Sequence, residues 1–264
     1  MTLRVALIGW GAIGRTVGEL VADAPLELVA VGVRDATVVR AGIPESAELI
    51  TEPDELAALA PDVVAEAAGR DTVGPWGRAA LAAGADLIVS SVSALADAEL
   101  LEQLRSLAVA HDARVEIQSG ALAGVDALSA SRFMGLDRVE HRIVKPPTAW
   151  KGTAAEELCD LDALTEATAF SRGSASEIAS AFPKNANVAM TTALAGIGPD
   201  RTEVVLVADP AAATNRHELS ASGGFGSLEV AIANNPLPAN PKSSAMAALG
   251  LARALTNRAS AIVI

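Results

Sequence analysis

The stretch RVALIGWGAIGR, residues Arg4–Arg15, decides the fold of this chain. It opens with a short apolar run rich in aliphatic side chains, which is typical of a buried strand. Three glycines with the spacing G-x-G-x-x-G follow, and apolar residues then recur at helical spacing. Strand, glycine turn and helix therefore stand in the order that a dinucleotide-binding site requires.

The glycine turn predicts a binding site for NAD or NADP. Gly9 permits the tight turn, Gly11 lets the backbone approach a pyrophosphate, and Gly14 lets helix and strand pack closely. Ala12 and Ile13 open the helix, whose N-terminus offers N–H groups and a partial positive charge to the phosphates. Because glycine-rich turns are common, a purely structural turn is the alternative interpretation.

Composition narrows the class of protein. The 264 residues suffice for one large or two modest domains, and a hydrophobic content of 51% argues against disorder. The net charge of −12 opposes nucleic-acid binding but leaves room for a local cationic pocket that binds an anionic substrate. The single cysteine, Cys159, excludes an intramolecular disulfide and suits a reducing cytosol. Neither a signal-peptide pattern nor an apolar run of about 20 residues is present, so we expect a cytoplasmic protein without a membrane partner.

Strand and helix patterns alternate over residues 1–120, which predicts an α/β, Rossmann-type, doubly wound parallel sheet. Ligands bind such sheets at the carboxyl ends of the strands, which places Ala68 and Gly69 beside the glycine turn. The second strand ends in Arg34 and Asp35. Asp35 would bind the ribose 2′-hydroxyl of NAD and Arg34 the 2′-phosphate of NADP, so we predict that both cofactors are used, and a solvated strand end is the alternative.

The pattern changes in residues 121–240, where we predict an α+β domain for substrate binding and dimerisation. Helices are predicted over Gly120–Met134 and Thr153–Leu164, and three adjacent strands are predicted to form an antiparallel or mixed sheet. Asn240 and Pro241 resemble a helix cap followed by proline in the first turn. The helix that they open, residues 241–257, is expected to pack back on the first domain.

Of the three histidines, His217 is the best candidate for proton transfer. Strand alternation puts His217 on the covered face of its sheet together with Leu219 and Ala221. A neutral imidazole suits proton transfer near neutral pH, although a hydrogen-bonded core histidine is the alternative. His111 is interpreted as a surface residue and His141 as structural, so alanine variants of both should keep most activity. No clustered His or Cys pattern appears, so we expect no metal site.

A second polar cluster, Pro183–Asn187, is bordered by apolar residues. Lys184 is a candidate for binding a substrate carboxylate, and the amide of Asn185 for binding the nicotinamide carboxamide or a backbone group. Polar caps at a helix start are the alternative. Lys242 and Ser243 are weaker substrate candidates, and Gly223–Gly226 is either a hairpin turn or a carboxylate-binding nest, of which we favour the turn.

Together these segments resemble the L-aspartate dehydrogenase family. The resemblance covers nearly the whole chain in the family's order, and the KNANVA and N-x-H segments are its most specific parts. The matching segments are Gly9–Gly14, Ser119–Gly124, Pro183–Ala189, Ala208–Pro210, Asn215 with His217, Asn234–Leu237 and Asn240–Ser244.

The resemblance implies NAD(P)-dependent oxidative deamination of L-aspartate to iminoaspartate, which hydrolyses to oxaloacetate and ammonia, and the reverse reductive amination. It places the active-site histidine at His217 and NAD contacts at Ala121 and Asn187. It also implies a homodimer and a role in supplying iminoaspartate for NAD biosynthesis.

Two other classes compete with this interpretation. One is another two-domain reductase, of the dihydrodipicolinate reductase or homoserine dehydrogenase type. The first of these families carries paired histidines with a lysine close behind, whereas His141 and His217 are far apart in this sequence, and the second would not explain KNANVA. The other class is a non-enzymatic NAD(P)-binding sensor. Formation of NADH from NAD and L-aspartate distinguishes an aspartate dehydrogenase from these two alternatives.

Overall fold

A computed structural model describes residues 2–263, apart from the side chains of Lys184, Pro241 and Lys242. The chain divides into two compact units. The first consists of the residues up to 120 together with those from 237 onward, and the second of residues 121–236.

Alternating strands and helices build the first unit. Its six strands are parallel and lie in the order β3-β2-β1-β4-β5-β6, so the order reverses between β1 and β4. This is the doubly wound order of dinucleotide-binding folds, which confirms the predicted fold class. The elements are β1 (Leu3–Ile8), α1 (Ala12–Leu20), β2 (Leu26–Gly32), β3 (Glu48–Ile50), α2 (Leu56–Leu59), β4 (Val63–Glu66), α3 (Arg70–Ala82), β5 (Asp86–Val89), α4 (Ala98–Ala110) and β6 (Val115–Ile117).

The second unit is built on a mixed five-stranded sheet in the order β11-β10-β7-β9-β8, in which β7 and β9 are parallel and the other neighbours antiparallel. A second unit with a mixed sheet was expected from the sequence and is confirmed. Its elements are α5 (Val125–Ser131), β7 (Leu136–Lys145), α6 (Pro147–Trp150), α7 (Ala155–Leu158), β8 (Thr168–Ser174), α8 (Ala175–Ala181), α9 (Ala186–Ala195), β9 (Glu203–Ala208), β10 (Asn215–Gly223) and β11 (Gly226–Asn234).

Two predicted helices of this unit are much shorter than the sequence suggested. The helix predicted from Gly120 begins only at Val125, because Gly120 and Gly124 have positive φ angles of 61° and 72° that no helix continues through. The helix predicted over Thr153–Leu164 is a single turn, α7, and the backbone is extended at Cys159. Repulsion among the acidic side chains around this turn disfavours a longer helix.

The segment that returns to the first unit forms β12 (Pro236–Leu237), β13 (Asn240–Ser244) and α10 (Ala245–Ala259). The predicted helix start at Asn240 is therefore wrong. Ser244 is the actual cap, since its hydroxyl accepts a hydrogen bond from the backbone N–H of Met246 at 3.1 Å. Leu251 and Leu255 of α10 share one buried cluster with Val17 of α1, so this helix helps to cover the first sheet.

No helix in residues 2–263 combines the length and apolar character that crossing a membrane requires.

Candidate active site

The predicted dinucleotide site lies where β1 and β4 end, at the point where the strand order reverses. Gly9 has a φ of +101°, and a Cβ atom there would stand 2.8 Å from the carbonyl oxygen of Ala67 and from Cα of Ala68. A Cβ at Gly14 would stand only 2.0 Å from the carbonyl oxygen of Gly9. Both positions therefore require glycine, because turn, helix and the loop after β4 are packed backbone against backbone.

Gly11 differs from these two glycines because it borders open space. Gly11 caps α1, and no atom lies within 4 Å of where its Cβ would be. Ala12 and Ile13 form the first residues of the helix, so N–H groups without helical partners face this end. Open space in front of a helix N-terminus fits the pyrophosphate of a dinucleotide.

A buried carboxylate that sequence reasoning missed holds the loops around this site. Glu66, at the end of β4, is fully buried. It accepts hydrogen bonds from the backbone N–H groups of Ala68 and Gly69, both at 2.8 Å, and from the backbone N–H of Ser91 at 2.9 Å. The sequence does carry a signal for this residue, because Glu66 is the one acidic side chain within the otherwise apolar residues 63–68. Glu66 thus fixes the two predicted cofactor-binding residues of this loop.

Arg34 and Asp35 follow the end of β2 and both are exposed. Oδ1 of Asp35 accepts hydrogen bonds from the backbone N–H of Thr37 at 2.8 Å and from its hydroxyl at 2.6 Å. These bonds lower the pKa of Asp35 below its ordinary value. The Asp35 carboxylate is therefore ionised at pH 7 and ordered by its own turn, while the choice between ribose hydroxyl and phosphate stays a prediction.

In the second unit the two buried histidines meet. His217 of β10 lies opposite Ile143 of β7, which puts His141, two residues earlier on β7, on the same face of the sheet. Nε2 of His141 lies 3.1 Å from Nδ1 of His217, and the two side chains are 0% and 6% exposed. The inward position predicted for His217 is confirmed. Two residues 76 positions apart in sequence are thus direct partners.

A helix hydroxyl completes this chain of hydrogen bonds. Oγ1 of Thr192, on α9, lies 3.0 Å from Nδ1 of His141 and donates to the carbonyl oxygen of Val188 at 3.1 Å. Because the hydroxyl proton goes to that carbonyl, Oγ1 accepts from Nδ1–H of His141. The opposite arrangement makes one hydrogen bond fewer.

These contacts assign the tautomer of His217. With Nδ1 of His141 protonated, its Nε2 is an acceptor, and Nδ1–H of His217 donates to it. Nε2 of His217 consequently carries the lone pair. The chain from Thr192 through His141 therefore presents one basic nitrogen on His217.

Burial keeps both imidazoles neutral. It lowers the pKa of His217 to about 4, and the positive charge of Lys145 contributes to the same shift. Burial, and secondarily a charge on His217, puts the pKa of His141 well below its ordinary value. Both values lie below the ordinary imidazole pKa near 6.5. In the structure His217 is an uncharged base at pH 7.

This burial predicts a loss of stability in mild acid. The pKa of His217 is near 6.5 in the unfolded chain and about 4 in the folded one, so the unfolded state binds more protons between these values. Its stabilising contribution is complete above pH 6.5 and is lost as the pH falls towards 4. At pH 5 this histidine alone should cost about 2 kcal/mol of unfolding free energy.

Urea unfolding at pH 7 and pH 5 measures this effect. The His217→Asn variant should lose less stability than the parent protein over this interval, whereas a variant of the exposed His111 should lose as much. Equal losses in all three proteins would contradict the assignment.

Three further predicted residues, Ala121, Asn185 and Asn187, belong to the second unit. The carbonyl oxygen of Ala121 accepts a hydrogen bond from Asn234 at 2.8 Å. Asn185 is buried and accepts a hydrogen bond from Lys145, a residue that sequence reasoning missed.

The other three substrate candidates are Lys184, Lys242 and Ser243. The side chains of Lys184 and Lys242 lie outside the described part of the chain. Ser243 accepts a local hydrogen bond from Asn240 at 3.1 Å. Residues 223–226 form the favoured hairpin turn between β10 and β11. Among the described residues, no group of three His, Cys, Asp or Glu side chains is arranged to hold a metal ion.

Comparison with protein families assigns both halves of the chain. The model described as aspartate dehydrogenase, C-terminal, matches residues 126–258. The model described as homoserine dehydrogenase, NAD binding domain, matches residues 9–118. The N-terminal half is thus an NAD-binding domain, and the site residues around Gly11 and Glu66 lie inside it.

Individual relatives agree with this assignment. The chain is 50% identical to an L-aspartate dehydrogenase of Brucella anthropi, with 98% of each chain covered. It is 43% identical to that of Pseudomonas aeruginosa, with 99% of this chain and 100% of the relative covered. The crystal structure of aspartate dehydrogenase from Thermotoga maritima matches with a TM-score of 0.78 and 27% identity over 100% of both chains. The chain belongs to the L-aspartate dehydrogenase family.

Proposed function

We propose that this chain oxidises L-aspartate with NAD or NADP to iminoaspartate, which water converts to oxaloacetate and ammonia, and that it also runs the reverse amination. The observation that carries the proposal is the chain of hydrogen bonds from Thr192 through His141 to His217. It presents a neutral, oriented imidazole in a member of a family whose named relatives are L-aspartate dehydrogenases. The bound cofactor would accept the hydride that leaves C2 of L-aspartate, and the C2 nitrogen would release a proton to solvent as the imine forms.

In this proposal the residues around Gly11 hold the cofactor. The open space at Gly11 and the N–H groups of Ala12 and Ile13 receive its phosphates. Glu66 keeps the neighbouring loop in place through the backbone of Ala68 and Gly69. Arg34 and Asp35 address the ribose, and the family resemblance assigns further cofactor contacts to Ala121 and Asn187.

His217 moves the protons of imine hydrolysis. A water molecule that attacks the imine carbon must lose a proton, and Nε2 of His217 carries the lone pair that accepts it. The departing ammonia then needs a proton, which the same imidazole returns. Because His217 is neutral at pH 7, it accepts the first proton without prior deprotonation. Its Nδ1–H bond to His141 keeps the ring oriented during both transfers.

A threonine substitution tests the chain of hydrogen bonds. Thr192→Val removes the hydroxyl while keeping nearly the same shape, so His141 loses the acceptor that fixes its tautomer. We expect turnover to fall about 5- to 10-fold, the cost of one hydrogen bond of about 1 kcal/mol, with unchanged NADH affinity. Thr192→Ser keeps the hydroxyl and should restore most of the rate. Equal activity of the valine and serine variants would contradict the proposed chain.

The activity itself is tested by following NADH absorbance when the protein meets NAD and one amino acid from a panel. L-aspartate should give the highest rate. No NADH formation from L-aspartate, under conditions in which the protein binds NADH, would favour the non-enzymatic sensor.

The same assay with NADP tests whether both cofactors are used. A rate with one cofactor below about a thousandth of the other, roughly 4 kcal/mol, would contradict it.

The comparisons do not favour the alternative reductases. A dihydrodipicolinate reductase matches with a TM-score of 0.55 and 15% identity, and an archaeal homoserine dehydrogenase in complex with NADPH with 0.60 and 15%. At this identity the likeness reflects the shared fold.

We also propose a homodimer in the cytoplasm that supplies iminoaspartate for NAD biosynthesis. Phe133 and Met134 are 94% and 66% exposed, and such large apolar side chains support self-association. Light scattering should give about twice the chain mass of 26.7 kDa, and the single-chain mass would contradict the dimer.

The cytoplasmic location is supported by the single cysteine, which suits a reducing compartment. Release of iminoaspartate before hydrolysis is the requirement for its use in biosynthesis.

A further inference from the structure

Lys145 ends β7 on the same face of the sheet as the histidine pair. Successive side chains of a strand alternate between its faces, so His141, Ile143 and Lys145 share one face. His217 lies directly opposite Ile143. His141 and Lys145 are therefore its two diagonal neighbours, a relation that places Cβ atoms about 7 Å apart. A flexible lysine stem spans such a distance easily.

Asn185 and Trp150 both contact the ammonium group of Lys145. Nζ of Lys145 donates a hydrogen bond to Oδ1 of Asn185, which is 3% exposed. Nζ also lies 4.8 Å from the centre of the Trp150 ring, and the indole N–H of Trp150 is fixed by the carbonyl oxygen of Val207 at 3.0 Å. An amide oxygen and an aromatic face both favour a cation at this position.

The charge of Lys145 acts on the base. After burial, it is the second cause of the low pKa of His217. Among the described side chains, His141 contacts His217 and Lys145 is its other diagonal neighbour on β7, while Thr192 contacts His141 and Asn185 contacts Lys145. Of these four side chains, Lys145 is the one whose positive charge acts on His217. The electric potential beside the base is therefore positive, which favours an anion next to it.

We propose that Lys145 binds a carboxylate of the amino-acid substrate and holds that substrate beside His217. This assignment rests on the proposed function, and it adds Lys145, which the sequence patterns did not single out, as a cationic anchor of the site. Asn185 acts as a positioning residue that aims the ammonium group.

The first test is steady-state deamination by Lys145→Met, which keeps the apolar stem over Trp150 and removes the charge. KM for L-aspartate should rise roughly 10- to 100-fold, the range for losing a hydrogen bond between charged groups. Because this contact is made before and during the reaction, kcat should change much less. NADH affinity should stay the same, and Lys145→Arg should restore much of the loss.

Lys151→Met is the matched control. Lys151 is an exposed lysine six residues further along the chain that pairs with Asp162 at 2.6 Å. Its variant should behave like the parent protein. Comparing L-aspartate with L-asparagine identifies the carboxylate: a loss confined to L-aspartate indicates the side-chain carboxylate, and an equal loss on both indicates the α-carboxylate.

The second test needs no turnover, so it separates a failure of this inference from a failure of the proposed function. Titration of ¹⁵N-labelled histidine by NMR, with and without malonate, follows the imidazole of His217. Malonate should raise the pKa of His217 in the parent protein and in Lys151→Met, because a bound anion offsets the charge of Lys145, and should have little effect in Lys145→Met.

Two results would overturn the assignment. One is a Lys145→Met variant whose KM for L-aspartate stays within about twofold of the parent value. The other is a malonate response of His217 that is the same with and without Lys145.

Discussion

Replacing His217 by alanine or asparagine should lower turnover of L-aspartate by roughly 10²- to 10⁴-fold, the usual contribution of a general acid–base group. The reason is that Nε2 of His217 is the basic nitrogen that the hydrogen-bond chain presents. NADH affinity should change little, because the glycine turn and Glu66 lie in the other unit. Steady-state deamination, with folding checked by circular dichroism, measures the effect.

Two further histidine variants calibrate this experiment. His111 is exposed at the end of α4, so His111→Ala should keep most activity. His141→Ala was expected from the sequence to do the same, but its contact with His217 leads us to expect a reduced rate. A folded His217→Ala protein with more than about a third of the parent turnover would mean that another group carries the protons.

Replacing Gly11 by valine should weaken NADH binding by at least about 100-fold while leaving the fold intact. The backbone at Gly11 has φ −80° and ψ −159°, which any residue adopts, and its Cβ would meet no atom within 4 Å. The side chain would instead fill the space in which a pyrophosphate approaches the N–H groups of α1. Losing two hydrogen bonds to a charged group costs about 3 kcal/mol, which corresponds to this factor. Fluorescence titration with NADH measures it.

Gly14 provides the contrasting control. A Cβ at Gly14 would lie 2.0 Å from the carbonyl oxygen of Gly9, so Gly14→Ala must displace backbone and should lower the midpoint of thermal unfolding. Gly11→Val should lose affinity at an unchanged midpoint. A folded Gly11→Val protein that binds NADH within about threefold of the parent would exclude this turn as the cofactor site.

Local sequence patterns predicted those features that depend on near neighbours. The G-x-G-x-x-G turn, the alternation around His217 and the hairpin at Gly223–Gly226 each depend on a few consecutive residues, and the structure bears out all three conformations. Patterns failed where two local signals competed. Asn240-Pro241 and Ser244 both suit a helix start, and the hydrogen bond to Met246 selects Ser244.

Resemblance to the family, rather than spacing, supplied the roles of Ala121, Asn187 and His217. Spacing alone does not decide whether His217 is a hydrogen-bonded core histidine or a catalytic one. Polar clusters in the sequence were a weaker guide to the substrate residues. A local pattern around a lysine does not show which side chains the neighbouring strands bring together. Lys145 was missed for this reason.

The sequence by itself determined that strand, glycine turn and helix build a dinucleotide site, and that His217 faces inward, because both follow from short-range backbone geometry. Only the tertiary structure decided which groups meet. Sheet register makes His141 a diagonal neighbour of His217, which lies 76 residues later in the chain, and the chain fold brings Lys145 to Asn185 and Glu66 to Ser91. It also decided the protonation of the base, because the pKa of His217 depends on how completely the folded chain removes water from the imidazole, and no local pattern records that burial.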